Sequence, residues 1–157
     1  MPPQPCVCSI ASGASTIPLL RWRILPSRWA PTFRPAIIAE NELQGYAALL
    51  INPLVAVSTG DIFAAWDGID RGPLGEGTVM AVARSGRNDL QKPAVALVPI
   101  LTDMLQMLDG SEPIMAQMSG SGATCFALYD TLAAAAEAER HCRQATDNIR
   151  TMKGEFR

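Results

Sequence analysis

The segment from Met118 to Asp130 reads MSGSGATCFALYD, and its Ser119-Gly120-Ser121-Gly122 core is the stretch best suited to chemistry. Two glycines separated by one serine let the backbone reach positive φ and approach a ligand closely, with N–H groups free to point at an anion. Taken alone the signal is weak, and the same residues read as an ordinary Gly-Ser hairpin turn. Other reactive side chains are few. His141 is the only histidine, so Ser-His-Asp, Cys-His and HExxH chemistries would all have to run through it. It lies in the charged run AEAERHCRQ, where a solvated helix histidine is the expectation. Cys6, Cys8, Cys125 and Cys142 have the spacing of neither a disulfide framework nor a zinc site and read as reduced thiols. On these patterns no residue is assigned a catalytic role and none a metal.

The elements that must position the glycine loop follow from periodicity. Ile114 to Met118 and Ala123 to Tyr129 are short apolar runs on either side of it, which predicts a strand, loop, strand hairpin. Upstream, Tyr46 to Val57 is an apolar, β-branched run interrupted by Pro53, a buried strand region with a break. Ser58 or Thr59 can cap a helix reaching about Trp66, with Asp61 in its first turn and Asp67-Gly68 as its stop. Asp70 to Gly77 reads as loop and Thr78 to Arg84 as a short helix. From Asp89 to Leu108, Leu90, Ala94, Leu97, Val98, Leu101, Leu105 and Leu108 recur at spacings of three and four, which predicts one amphipathic helix. Thr131 to about Ala145 is a final alanine-rich helix. The polar tail TDNIRTMKGEFR ends without an evident last strand.

Composition narrows the classes. A chain of 157 residues, with nearly half of them apolar, fits one core rather than two. A net charge of −2 and only two lysines, Lys92 and Lys153, oppose a nucleic-acid surface, which needs many cations to displace counterions. No apolar run approaches the ~20 residues of a membrane span, so a soluble protein is expected. Residues 1 to 39 differ from the rest. They hold no acidic residue, four arginines and seven prolines, a composition that leaves no clean window for helix or strand. The expectation is an irregular segment 1–39 and a folded domain 40–157. A transit peptide is the competing reading of the arginines, opposed by the proline density.

Taken together, INPLVAVSTGDIF (Ile51 to Phe63), GRNDL (Gly86 to Leu90) and MSGSGATCFALYD resemble the C-terminal half of the 4-diphosphocytidyl-2-C-methyl-D-erythritol kinases, GHMP-type enzymes of the non-mevalonate isoprenoid pathway. The likeness runs from about Glu42 to Arg140. It implies an α+β fold, the GHMP kinase C-terminal domain, with a ferredoxin-like antiparallel sheet packed with helices. It also implies ATP-dependent phosphorylation of the 2-hydroxyl of the cytidine-diphosphate-linked methylerythritol, with Mg²⁺, in the cytoplasm. Carried over by resemblance, Ser119, Gly120, Ser121, Gly122, Ala123 and Thr124 form a loop supporting the phosphate-binding loop. Thr59 and Phe63 line the substrate pocket; a helix cap and a core contact are their structural alternatives. Asn88 and Asp89 match an asparagine-aspartate pair that the family follows with a glutamate, where this chain has Gln91. Helix capping is the other reading of Asn88.

The family's phosphate loop, PxxxGLGGGSSD, and its GADVP motif with the catalytic aspartate are not among these residues. No glycine-rich loop opening a helix replaces them. Back-translated with plausible codons and read from the third base of each codon, Met1 to Pro18 becomes AAAALRLLNRVWGLDDP, the continuation of that phosphate loop. In the same frame Arg28 to Ala36 becomes LGADVPPC. The expectation is that residues 1 to about 36 are an out-of-frame reading of a kinase gene, and that this chain alone is not a competent enzyme. Two further readings stand beside it: a non-catalytic ligand-binding or regulatory module, and an interaction subunit completed by a separately encoded N-terminal nucleotide domain.

Overall fold

A computed structural model describes residues 42–72 and 77–157; the expectations for residues 1–39, and part of the loop expected from Asp70 to Gly77, lie outside them. Strand β1 (Ala47–Asn52) alternates buried and half-buried residues along its whole length, the period-2 signature of a strand with one face on a core. It stops where Pro53 withdraws an amide donor, and the Asn52 carboxamide oxygen accepts from the Leu54 N–H at 2.8 Å to make the turn. Helix α1 (Thr59–Ala65) then begins under a Ser58 cap, whose hydroxyl accepts from the Asp61 N–H. Helix α2 (Val79–Ser85) begins in the same way under Thr78.

The long helix expected from Asp89 to Leu108 is two helices, α3 (Gln91–Leu97) and α4 (Ile100–Asp109). Pro99 separates them: it has no N–H to donate and pushes the preceding Val98 out of helical geometry, to φ −132° and ψ 79°. The apolar spacing continues across the break because both helices bury a face on one core. Pro93, in the first turn of α3, costs that helix no hydrogen bond.

Strands β2 (Met115–Met118) and β3 (Cys125–Tyr129) form the expected antiparallel hairpin around the glycine loop. Helix α5 (Leu132–Ala145) follows under a Thr131 cap. A last strand, β4 (Arg150–Glu155), then pairs with the full length of β1, from Asn52 opposite Arg150 to Ala47 opposite Glu155. The sequence reading had no strand there. Its core-side residues Thr151, Lys153 and Glu155 are polar, so the tail shows no apolar alternation, and Thr151 and Lys153 instead bond the Glu139 carboxylate of α5. All pairs are antiparallel and the sheet order is β2-β3-β1-β4. With α5 between β3 and β4 and the other helices between β1 and β2, this is the split βαβ arrangement of a ferredoxin-like α+β fold.

The core lies between one face of the sheet and helices α4 and α5. Ala47, Leu49 and Ile51 of β1 and Cys125, Ala127 and Tyr129 of β3 meet Leu101, Met104 and Leu108 of α4, at helical spacings of three and four. Against them α5 sets Ala135, Ala138 and Cys142, small side chains that let it lie close to the strands. The Tyr129 hydroxyl, at the end of β3, is satisfied by Ser111 at 2.7 Å. His141 is exposed on α5, as expected of a solvated helix histidine.

Candidate functional site at the glycine loop

Two strand ends and two helix starts converge on residues 119–124. The hairpin closes tightly: the Ser119 N–H donates to the Thr124 carbonyl at 2.8 Å, and the Gly122 N–H to the Ser119 carbonyl at 3.0 Å. Gly120 and Gly122 take φ of +56° and +89°, the left-handed region glycine enters at no steric cost. The Gly122 Cα faces Met118 and Leu101, and a Cβ there would crowd the Met118 sulfur at 3.0 Å. At Thr124 the hydroxyl accepts from the Asn52 amide at 2.9 Å, tying the loop's exit to the end of β1.

Thr59, the first residue of α1, puts its hydroxyl 3.0 Å from that of Ser121, 62 positions away in the chain. Sequence spacing gave no hint of this contact. Capping of α1 falls to Ser58, which leaves the Thr59 hydroxyl free for the loop. One turn on, Phe63 is 53% exposed, so a core role for it is excluded; Ile62 is the residue α1 buries. An exposed aromatic ring and a hydroxyl at i and i+4 share one face of the helix.

Asn88 and Gln91 hold the other side of the loop. The Asn88 side-chain amide donates to the Met118 carbonyl and to the Gly120 carbonyl, both at 2.7 Å, while its oxygen accepts from the Leu90 N–H at 3.0 Å. The Gln91 carboxamide oxygen accepts from the Met118 N–H at 2.9 Å. Asn88 therefore does not simply cap a helix: it turns the chain into α3 and fastens the glycine loop at once. Gln91 was visible in the sequence only as a departure from the family's glutamate. Either side chain offers the accepting oxygen that Met118 uses here. From β2, the Gln117 amide completes the lacing by donating to the Gly86 carbonyl.

Asp89 is turned elsewhere. Its carboxylate pairs with Arg87 at 3.2 Å and approaches Arg71 at 3.7 Å. Arg71 in turn holds Asp67 at 2.5 Å; that hydrogen bond lowers the Asp67 carboxyl below its ordinary value and raises the guanidinium above its own. Trp66, Asp67, Arg71, Asn88, Asp89 and Lys92 line an open groove of about 450 Å³ beside the loop. A smaller one of about 280 Å³ lies at Asn52, Leu54, Thr124 and Arg150. Among the described residues no three His, Cys, Asp or Glu side chains stand together as a metal would require.

This arrangement has relatives. Residues 78–148 match the family model described as GHMP kinases C terminal, a stretch that contains the Asn88 clamp and the whole glycine loop. This part of the chain is a GHMP kinase C-terminal domain. The chain is 51% identical over 111 residues to a 4-diphosphocytidyl-2-C-methyl-D-erythritol kinase of Erythrobacter litoralis, a match covering 65% of this chain and 41% of the relative. It is 53% identical over 97 residues to the enzyme of that name from Sphingopyxis alaskensis, covering 61% and 34%. It thus spans about two fifths or less of these curated relatives. Among solved structures, a crystal structure of 4-(cytidine 5′-diphospho)-2C-methyl-D-erythritol kinase superposes with a TM-score of 0.56 at 24% identity, over 71% of this chain and 43% of the other. Homoserine kinase from Cytophaga hutchinsonii superposes at 0.52 with 20% identity, over 72% and 42%. Both show the same fold for the GHMP C-terminal domain. No helix among the described residues is long and apolar enough to cross a membrane.

Proposed function

We propose that residues 42–157 form the acceptor-side half of an ATP-dependent kinase acting on the 2-hydroxyl of 4-diphosphocytidyl-2-C-methyl-D-erythritol, a step of isoprenoid biosynthesis in the cytoplasm. The observation that carries this reading is the 3.0 Å contact between the Thr59 and Ser121 hydroxyls. It supports reading the two residue sets that resemblance assigned separately, Thr59 with Phe63 and the loop 119–124, as one site. In it Phe63 offers an exposed ring to the cytosine base and Thr59 a hydroxyl to the ligand's polar edge. The loop closes the far wall.

Phosphoryl transfer is mostly positioning and electrostatics around a triphosphate, a metal and a base near the attacking hydroxyl. Among the described residues no three carboxylates stand together; on this reading ATP and Mg²⁺ are held by a nucleotide-binding lobe. That lobe is the partner this half requires. For residues 1 to about 36 we propose the out-of-frame origin that their shifted reading suggests. Sequencing the locus decides it, since DNA not encoding AAAALRLLNRVWGLDDP and LGADVPPC in the shifted frame removes the idea.

Incubating the pure 157-residue chain with ATP, Mg²⁺ and the cytidine substrate tests the main reading. No phosphorylated product is expected. Turnover by the chain alone would refute the division of labour proposed here.

A further inference from the structure

The proposed site leaves open what aims the glycine loop at its ligand. In a trans peptide the C=O and the following N–H point in opposite directions. The bond from Asn88 to the Gly120 carbonyl, at 2.7 Å, therefore sets where the Ser121 N–H points: away from α3. Among the described residues no acceptor takes the N–H of Gly120 or of Ser121, whereas the Ser119 and Gly122 amides are both used within the hairpin. The Ser121 side chain is also engaged, by the Thr59 hydroxyl. The Asn88 amide is fully committed: two donor bonds go to the Met118 and Gly120 carbonyls and one acceptor bond comes from Leu90. Gln91 holds the amide of Met118 in the same strand end.

We infer that Asn88 is a positioning residue whose bond to the Gly120 carbonyl presents the Ser121 N–H to an anionic oxygen of the ligand. Gln91 acts as its brace. The inference rests on the reading of the site given above and adds a specific donor, Ser121 N–H, for the diphosphate of the nucleotide-linked acceptor. Asparagine is required because the position needs two N–H donors and one acceptor on a short, flat group. Aspartate has the same shape, but it would press a carboxylate against two carbonyl oxygens. Glutamate at position 91 keeps the accepting oxygen and is tolerated.

The test uses the full ¹⁵N-labelled chain, titrated with 4-diphosphocytidyl-2-C-methyl-D-erythritol and followed by NMR. In the wild type the Ser121 amide resonance shifts downfield on binding. In Asn88→Asp that shift disappears and affinity falls by about tenfold, the scale of one hydrogen bond to a charged group. An unchanged Ser121 response and affinity in Asn88→Asp would overturn the inference. Asn88→Ser, which keeps one donor, carries the same test if the aspartate variant does not fold. Should the wild type bind no substrate, the functional reading fails and the clamp is judged by itself. Backbone relaxation of the ligand-free chain must then show residues 120–122 more mobile on the nanosecond scale in the Asn88 variant, with the rest of the sheet unaltered. A loop as rigid as in the wild type would refute the clamp.

Discussion

Replacing Gly122 by alanine perturbs the loop where backbone and packing act together, and the two contributions can be separated. At φ +89° an L-residue is strained, at about 1–2 kcal/mol. The new Cβ would also lie 3.0 Å from the Met118 sulfur and 3.5 Å from the Leu101 Cδ1. Met118 is 1% exposed, so its side chain cannot swing aside into solvent, and crowding of this kind adds about 1 kcal/mol or more. The expected total is about 2–3 kcal/mol. Gly120→Ala is the internal control: its φ is +56° and a Cβ there meets nothing within 4 Å, so only the backbone cost of about 1–2 kcal/mol applies. Urea unfolding followed by circular dichroism measures both. In a Met118→Ala background, which lacks the sulfur, Gly122→Ala should cost about 1 kcal/mol less than in the wild type, a coupling readable from the double-mutant cycle. Equal costs for the two glycine substitutions, or a cycle with no coupling, would refute the packing argument.

Other outcomes follow from the same contacts. The Glu139 carboxyl is held below its ordinary value first by the Lys153 hydrogen bond and then by that of Thr151. Its folded value is therefore the lower one, and its contribution is present above the unfolded carboxylate range and lost as pH falls through the folded value. Melting curves of wild type and Glu139→Gln should differ at neutral pH and converge in acid, with proteolysis of the variant beginning in β4. Burial pushes the Cys125 thiol up to about 11 and raises that of Cys142 as well. Mass spectrometry after iodoacetamide treatment at pH 8 should find both unmodified in the native chain and both modified in urea. Phe63→Ala removes a ring that is half in solvent, so it should change thermal stability by less than ~0.5 kcal/mol yet weaken cytidine-substrate binding at least about tenfold.

Elements marked by apolar runs, helix starts or glycines were legible in the sequence. The buried run of β1 up to its break at Pro53, the Ser58 cap, the helices expected from Thr78 and Thr131, and the hairpin around Gly120 and Gly122 stood within a residue or two of their observed places. Strand β4 was hidden because Thr151 and Lys153 face a buried-edge carboxylate instead of apolar neighbours, leaving no period-2 signal. The break at Pro99 was hidden for the opposite reason: the apolar periodicity continues through it, and only the proline marks it. Within the site, the glycines and Thr59 were visible as residue types, but their meeting across 62 positions is a property of sheet order. The amides of Asn88 and Gln91 act on carbonyls and N–H groups of the main chain, which leave no trace in side-chain spacing.

Isothermal titration calorimetry of the pure chain, run separately with 4-diphosphocytidyl-2-C-methyl-D-erythritol and with Mg²⁺-ATP, bears most directly on the assignment of this half to the acceptor. Heat of binding with the cytidine compound, abolished by Thr59→Val together with Phe63→Ala, and none with the nucleotide triphosphate is the predicted result. Tight binding of ATP without any for the cytidine compound would contradict it.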